Sequence, residues 1–192
     1  MWILPVQVFD IRQQCGSTLI EVTAAVVIMA VVSLSLIKLF TCSTFFVSTA
    51  SHDIKSLNRV QEVCEEIKAL HKSQKGFALD GDSNYIELEG EGSDISSEYM
   101  VALISGVGAG QVRKIAGFDP GSGKAFVEPG WVIPPAAQET TYIILRDRPY
   151  RDNLSIIAVD SGFNLQTINV SFIKHDPGES REISLTADKY WW

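Results

Sequence analysis

The sequence predicts an α+β protein, a long N-terminal helix followed by an antiparallel β-rich head, and two unevenly distributed properties carry that prediction. Of 14 Gly and 7 Pro, only Gly16 and Pro5 precede Gly76, so the 59 residues 17–75 contain no helix breaker. From Gly76 onward, 13 Gly and 6 Pro punctuate short β-branched and aromatic runs, the pattern of strands joined by tight turns. Charge divides at the same place: residues 17–75 hold 6 basic and 5 acidic side chains, net +1, whereas 76–192 hold 9 and 17, net −8. The whole chain of 192 residues has 16 Lys+Arg against 23 Asp+Glu, a formal charge of −7. Its 46% hydrophobic and 20% charged content excludes a disordered chain and a multi-span membrane protein. No nucleic-acid partner is expected, because phosphate binding rests on clustered Lys and Arg.

Within the breaker-free segment, Val22 to Ile37 is apolar apart from Thr23, Ser33 and Ser35. A membrane span needs about 20 largely apolar residues, and residues 17–40 supply that length. From residue 51 to 75 the pattern becomes Ile54, Leu57, Val60, Val63, Ile67 and Leu70, at spacings of three and four with charged and polar residues between. This predicts an amphipathic helix lying on a core. If the Ser/Thr-rich join, Thr41 to Ser51, is helical too, residues 17–75 form one helix of about 90 Å.

The string Gly16-Ser17-Thr18-Leu19-Ile20-Glu21-Val22 stands just ahead of the apolar run. It resembles the processing site of type IV prepilins and type II secretion pseudopilins, G-F-T-L-I-E-V, at six of seven positions. The resemblance implies a pilin-like fold and a leader, 1–16, removed by a prepilin peptidase between Gly16 and Ser17, with Ser17 then N-methylated. Glu21 would serve assembly: a carboxylate in an apolar helix costs roughly 2.5 to 3.5 kcal/mol on insertion scales and calls for a partner. In that family the partner is the positive amino terminus of a neighbouring subunit. Two other readings stand beside this one. An ordinary signal anchor would let Glu21 snorkel at the interface, and a secretory signal peptide would be cut after Ser48-Thr49-Ala50, although 50 residues is long for one. Ser17 departs from the usual Phe, the leader has Arg12 as its one basic residue, and Lys38 stands where major pilins often have a kinking proline. The last feature leans toward a minor pilin or pseudopilin.

Strands are expected at Tyr85 to Leu88, Tyr99 to Ser105, Gln111 to Ile115, Lys124 to Val127, Thr141 to Leu145, Ser155 to Val159, Thr167 to Lys174 and Arg181 to Leu185. Asp119-Pro120-Gly121-Ser122-Gly123 and Asp176-Pro177-Gly178-Glu179 are expected hairpin turns. The final hairpin resembles that of minor pilins of the PilV and pseudopilin-I type. Residues 99–145 resemble a small β unit of phage virion and tail proteins, and read as an insertion that either enlarges the head or carries an adhesive role. Leader removal takes Cys15, and Cys42 and Cys64 stand 22 residues apart, about 33 Å on a continuous helix, too far for an internal disulfide. They are packed thiols or an intersubunit bridge.

Several motifs suggest chemistry and fall short of it. Gly106-Val107-Gly108-Ala109-Gly110 lacks the strand-loop-helix setting of a nucleotide site. Asp80, Asp82, Asn84 and Glu91 have the oxygen spacing of a calcium loop, but Tyr85 replaces the glycine of its sharp turn, so a solvated acidic turn competes with a metal site. His52, His71 and His175 are scattered. Tyr190-Trp191-Trp192 reads as a packed edge or a docking patch. The expectation is therefore a structural protein with no cofactor and no catalytic site. It would be a minor pilin or pseudopilin anchored by one span in the inner membrane, with its head periplasmic or extracellular. Its partners would be prepilin peptidase, other pilin or pseudopilin subunits and the inner-membrane assembly platform. The alternative is a monomeric membrane-anchored extracytoplasmic binding module.

Overall fold

A computed structural model of the chain describes residues 18–89, 95–160, 165–176 and 179–191. The chain divides into two compact units, Met1–Ser51 and His52–Trp192. Among the described residues one α-helix, α1 (Leu19–Ala69), contributes to both, and nine strands and two short 3-10 helices complete the second. The strands are β1 (Lys75–Asp82), β2 (Tyr85–Leu88), β3 (Tyr99–Ser105), β4 (Val112–Asp119), β5 (Lys124–Glu128), β6 (Thr141–Arg146), β7 (Leu154–Asp160), β8 (Leu165–Asp176) and β9 (Glu179–Tyr190). The α+β class holds.

The head contains two β assemblies. Strands β1-β2-β5-β4-β3-β6 close into an antiparallel barrel, β6 pairing back onto β1, while β7-β8-β9 form a three-stranded antiparallel sheet. Closure matters because a barrel leaves no unpaired edge. The unit expected at 99–145 supplies β3 to β6, and β1 and β2 supply the rest of the wall, so the barrel begins at Lys75. Strand β1 is the element absent from the expected list. Its inward positions are Gly76 and Ala78, while Phe77 and Leu79 face solvent, so the large apolar residues mark the wrong face. Gly76 leaves room for Tyr142: a Cβ there would come within 2.7 Å of its hydroxyl, so one of the two would have to shift.

Strands β3 and β6 bury both faces. Val101, Leu103, Tyr142 and Ile144 point into the barrel among Ile86, Leu88, Ile115 and Trp131. Met100, Ala102, Ile104, Ile143 and Leu145 point the other way, into a second core shared with α1 and the inner face of the sheet. Helix α1 gives that core Val60, Val63, Cys64 and Ile67, and Leu70 follows just beyond its end, at three- and four-residue spacing. The sheet gives Leu154, Ile156, Ile168, Val170, Phe172 and Ala187. The buried face begins one turn later than the hydrophobic pattern suggests. Ile54 and Leu57 are exposed, and Ser56 is buried with its hydroxyl donating to the His52 carbonyl at 3.1 Å.

Helix α1 stops at Ala69, short of the expected Lys75. The last carbonyls of a helix need outside donors, and the buried Lys189 ammonium of β9 donates to the carbonyls of Lys68 at 2.5 Å and Leu70 at 2.8 Å. Burial pulls the Lys189 pKa down. The same ammonium lies 5.2 Å from the Trp191 ring centroid, whose Nε1 donates to Gln166 at 2.9 Å. Trp191 is thus a packed edge. Of the two expected turns, Asp119 caps its own, its Oδ1 accepting from the Gly121 N–H and its Oδ2 from the Ser122 hydroxyl. Asp176 pairs with Glu179, and Pro177 and Gly178 lie outside the described residues.

Ile67 is fully buried where helix, sheet and barrel wall meet, so Ile67→Ala is expected to destabilise the head by about 2 to 5 kcal/mol in chemical denaturation. A loss below about 1 kcal/mol would mean that the second core is not organised around the helix.

Candidate assembly site

Gly16 and Ser17 lie outside the described residues, so the site begins at Thr18. The Thr18 carbonyl accepts from the Glu21 N–H at 2.9 Å, and the Glu21 Oε2 accepts from the Thr18 N–H at 2.9 Å. This is the carboxylate arm of a capping box, which places negative charge where the helix presents unpaired N–H groups. Glu21 therefore has a partner inside its own chain. The string Thr18-Leu19-Ile20-Glu21 is itself a capping-box sequence, a signal that sits inside the heptapeptide and gives the carboxylate a second physical reason to be there. Below the cap, Glu21 heads a shallow groove lined by Val22, Ala25, Val26 and Met29 on one face of the helix.

Helix α1 is long and apolar enough to cross a membrane, and the side chains of that stretch are exposed. Its hydroxyls bond to carbonyls of the helix itself. Thr23 donates to the Ile20 carbonyl, Ser33 to Met29, Ser35 to Val31 and Thr41 to Ile37, each at 2.7–2.9 Å. Such bonds let Ser and Thr sit in hydrocarbon without an orphaned donor. Cys42 is exposed and Cys64 buried, both free, and burial pushes the Cys64 thiol up.

Further along, α1 is fastened to the head by two carboxylates one turn apart. Glu62 accepts from Arg148 Nη1 and, at 2.8 Å, from the Tyr150 hydroxyl. Glu66 accepts from Arg148 Nη2 at 3.1 Å and from the Arg146 backbone N–H at 2.8 Å. Arg59, a further turn back, lies over the Tyr150 ring at 5.1 Å and the Phe172 ring at 5.5 Å. One arginine thus bridges two acids, and the link between β6 and β7 is held to the helix. The signal was in the sequence as Glu62 and Glu66 at i, i+4 and the dense run Arg146-Asp147-Arg148-Pro149-Tyr150-Arg151-Asp152, but nothing local says that they meet.

Of the calcium candidates, three lie on β1 and the turn after it. Asp80 and Asp82 lie on β1, joined to β2 by the two-residue turn Ser83-Asn84, and Glu91 lies outside the described residues. The Asp80 carboxylate accepts from the Tyr85 hydroxyl at 2.9 Å, a bond that with the Gly81 N–H holds its pKa below the ordinary value. The Tyr85 ring carries the Lys124 ammonium at 4.4 Å. Among the described residues, no group of three or more His, Cys, Asp or Glu is placed to hold a metal ion.

Burial, followed by the hydrogen bond to Glu62, pushes the Tyr150 phenol up to about 12, and burial does the same for Tyr142. A raised phenol favours the folded state while it is neutral, so its contribution is whole below pH 10.0 and is lost as pH climbs through about 12. Tyr150→Phe is expected to lower stability at pH 8 and to reduce the further loss between pH 10 and 12, read by denaturation at each pH. A double-mutant cycle of Glu66→Gln and Arg148→Met is expected to give a coupling of about 1 to 3 kcal/mol. Strict additivity would dissolve the clasp.

Comparison of the chain with protein-family models, with curated proteins and with solved structures finds no match.

Proposed function

We propose that the chain is a minor pilin or pseudopilin, a structural subunit cut by a prepilin peptidase between Gly16 and Ser17 and assembled into a type IV pilus or a type II secretion pseudopilus. The observation that carries the reading is a conjunction. The heptapeptide Gly16 to Val22 runs into the start of a helix apolar enough to span a membrane, and that helix ends as an amphipathic element clasped to a β-rich head. In this reading the groove below Glu21 receives a neighbouring helix, and cleavage creates the ammonium that competes with the Thr18 N–H for the carboxylate. The head stands on the extracytoplasmic side of the inner membrane, and the assembly platform and sister subunits are its partners.

The capping box favours a second reading, because it explains Glu21 with no partner chain. There the protein is a monomeric membrane-anchored binding module, with the barrel as its functional part.

Processing separates the two. Co-expression with an active prepilin peptidase, followed by intact mass and amino-terminal sequencing, is expected to yield a chain beginning at N-methyl-Ser17, and Gly16→Leu is expected to block the cut. An uncut wild-type chain, under conditions where a control prepilin is processed, would leave the binding module. After processing, Glu21→Ala is expected to keep the protein in the membrane and to reduce its crosslinking to other subunits.

A further inference from the structure

Strand β9 forms one side of the three-stranded sheet, whose order is β7-β8-β9, and it pairs with β8 alone. It is 12 residues long, where strands usually have about five or six. Its register with β8 runs unbroken from Leu165–Tyr190 to Asp176–Glu179. Proteins ordinarily guard such an edge with a bulge, a proline or a row of charges. From Ile183 to Ala187, β9 has no bulge, no proline and no charge. In an antiparallel ladder alternate residues turn their N–H and C=O away from the partner strand. These residues therefore turn at least two of each outward, and among the described residues no backbone group meets them.

The space beside this edge has an apolar floor. Ile183 and Leu185 are half-buried, Leu185 against the second core, while Ser184 and Thr186 face solvent. Helix α1 passes at the same level. Arg59 lies 5.5 Å from the Phe172 ring, Phe172 is the register partner of Ile183, and the Lys68 carbonyl accepts from Lys189 further along β9. Glu66 turns toward the link between β6 and β7, where Arg146 and Arg148 meet it. Leu57 precedes Glu66 by about two and a half turns and so occupies the opposite flank, on the side of β9. It is 40% exposed there, although it belongs to the apolar stripe of the helix.

We propose that the free edge of β9 accepts an extended strand from a partner protein, one that alternates apolar with basic or neutral polar residues. Hydrogen bonding selects an extended backbone, because N–H and C=O groups repeating along an edge are matched by another strand and not by a helix. Alternation then sets the apolar side chains of the added strand over Leu57, Ile183 and Leu185, and its polar ones beside Ser184 and Thr186. Charge selects the polar ones. The exposed face of β9 carries Glu182 and Asp188 on either side of its neutral centre and no basic residue, on a head of net −8, so Lys and Arg fit there and acids do not. The same charge disfavours a second copy, since β9 laid against β9 gathers the Glu182 and Asp188 of both chains on one surface. The proposal does not rest on cleavage after Gly16.

The test uses the full chain in nanodiscs holding one copy each, titrated with the fluorescein-labelled peptide Lys-Val-Thr-Val-Lys-Val-Thr-Val-Lys. Binding is expected to be saturable and to slow hydrogen exchange at the amides of residues 183–187. The same side chains on a fully N-methylated backbone, and the peptide with Glu in place of Lys, are each expected to bind at least about tenfold more weakly. Leu57→Asn, an exposed position whose unfolding midpoint is checked first, is expected to weaken binding several-fold. Equal affinity for the parent and N-methylated peptides would overturn the proposal, as would slowed exchange on other strands instead of β9. Slowed exchange at residues 183–187 in vesicles crowded with the chain alone would give the edge to a second copy and overturn it as well.

Discussion

The head is organised around a wall that belongs to two interiors at once. Strands β3 and β6 send alternate side chains into the barrel and into the core beneath α1, so neither side can be repacked without disturbing the other. A sheet with one wet face tolerates polar substitution on that face, but here both faces of the wall are dry. This constraint explains why the barrel is an integral part of the head although its strands are contiguous in sequence. An inserted module on a flexible stalk would show a polar outer face where Met100, Ala102 and Ile104 are buried.

Polar contacts then fix what the apolar wall alone leaves free. Burial is indifferent to a small rotation or slide of a helix along its groove, because it counts area and not direction. Glu62, Glu66, Arg148 and Tyr150 are directional, and Lys189 sets the end of the helix against the last strand. Pairs of this kind add little to net stability when exposed and much more to register when several share one cation.

What the sequence disclosed follows the range of the interactions responsible. The long helix, the turn at Asp119 and the late strands depend on neighbours in sequence, and composition, turn chemistry and alternation revealed them. Strand β1 stayed hidden because Gly76 and Ala78 fill the inward positions, Gly76 against Tyr142, and a small residue facing a large one reads as a loop. Barrel closure, the Arg148 clasp and the bonds of the Gln111 amide to Val132 and Ile133 are contacts between residues far apart in sequence, and the partner of a long-range contact has no local mark. The bond between Glu21 and Thr18 is the instructive exception. It spans three residues, and its letters lie inside the heptapeptide, so one short string carries both a local cap and the resemblance.

The Lys189 cap has a consequence for synthesis. The ammonium that closes the end of α1 lies 121 residues downstream of the Lys68 carbonyl it binds. At roughly 5 to 20 residues per second, a ribosome needs about 6 to 24 s to travel that distance. During that interval the helix end lacks its ammonium, although β3, β6 and β7 emerge before β9 and can already cover its apolar face. The open carbonyls at the end of α1 therefore wait seconds for their donor, and β9 is the strand that brings it.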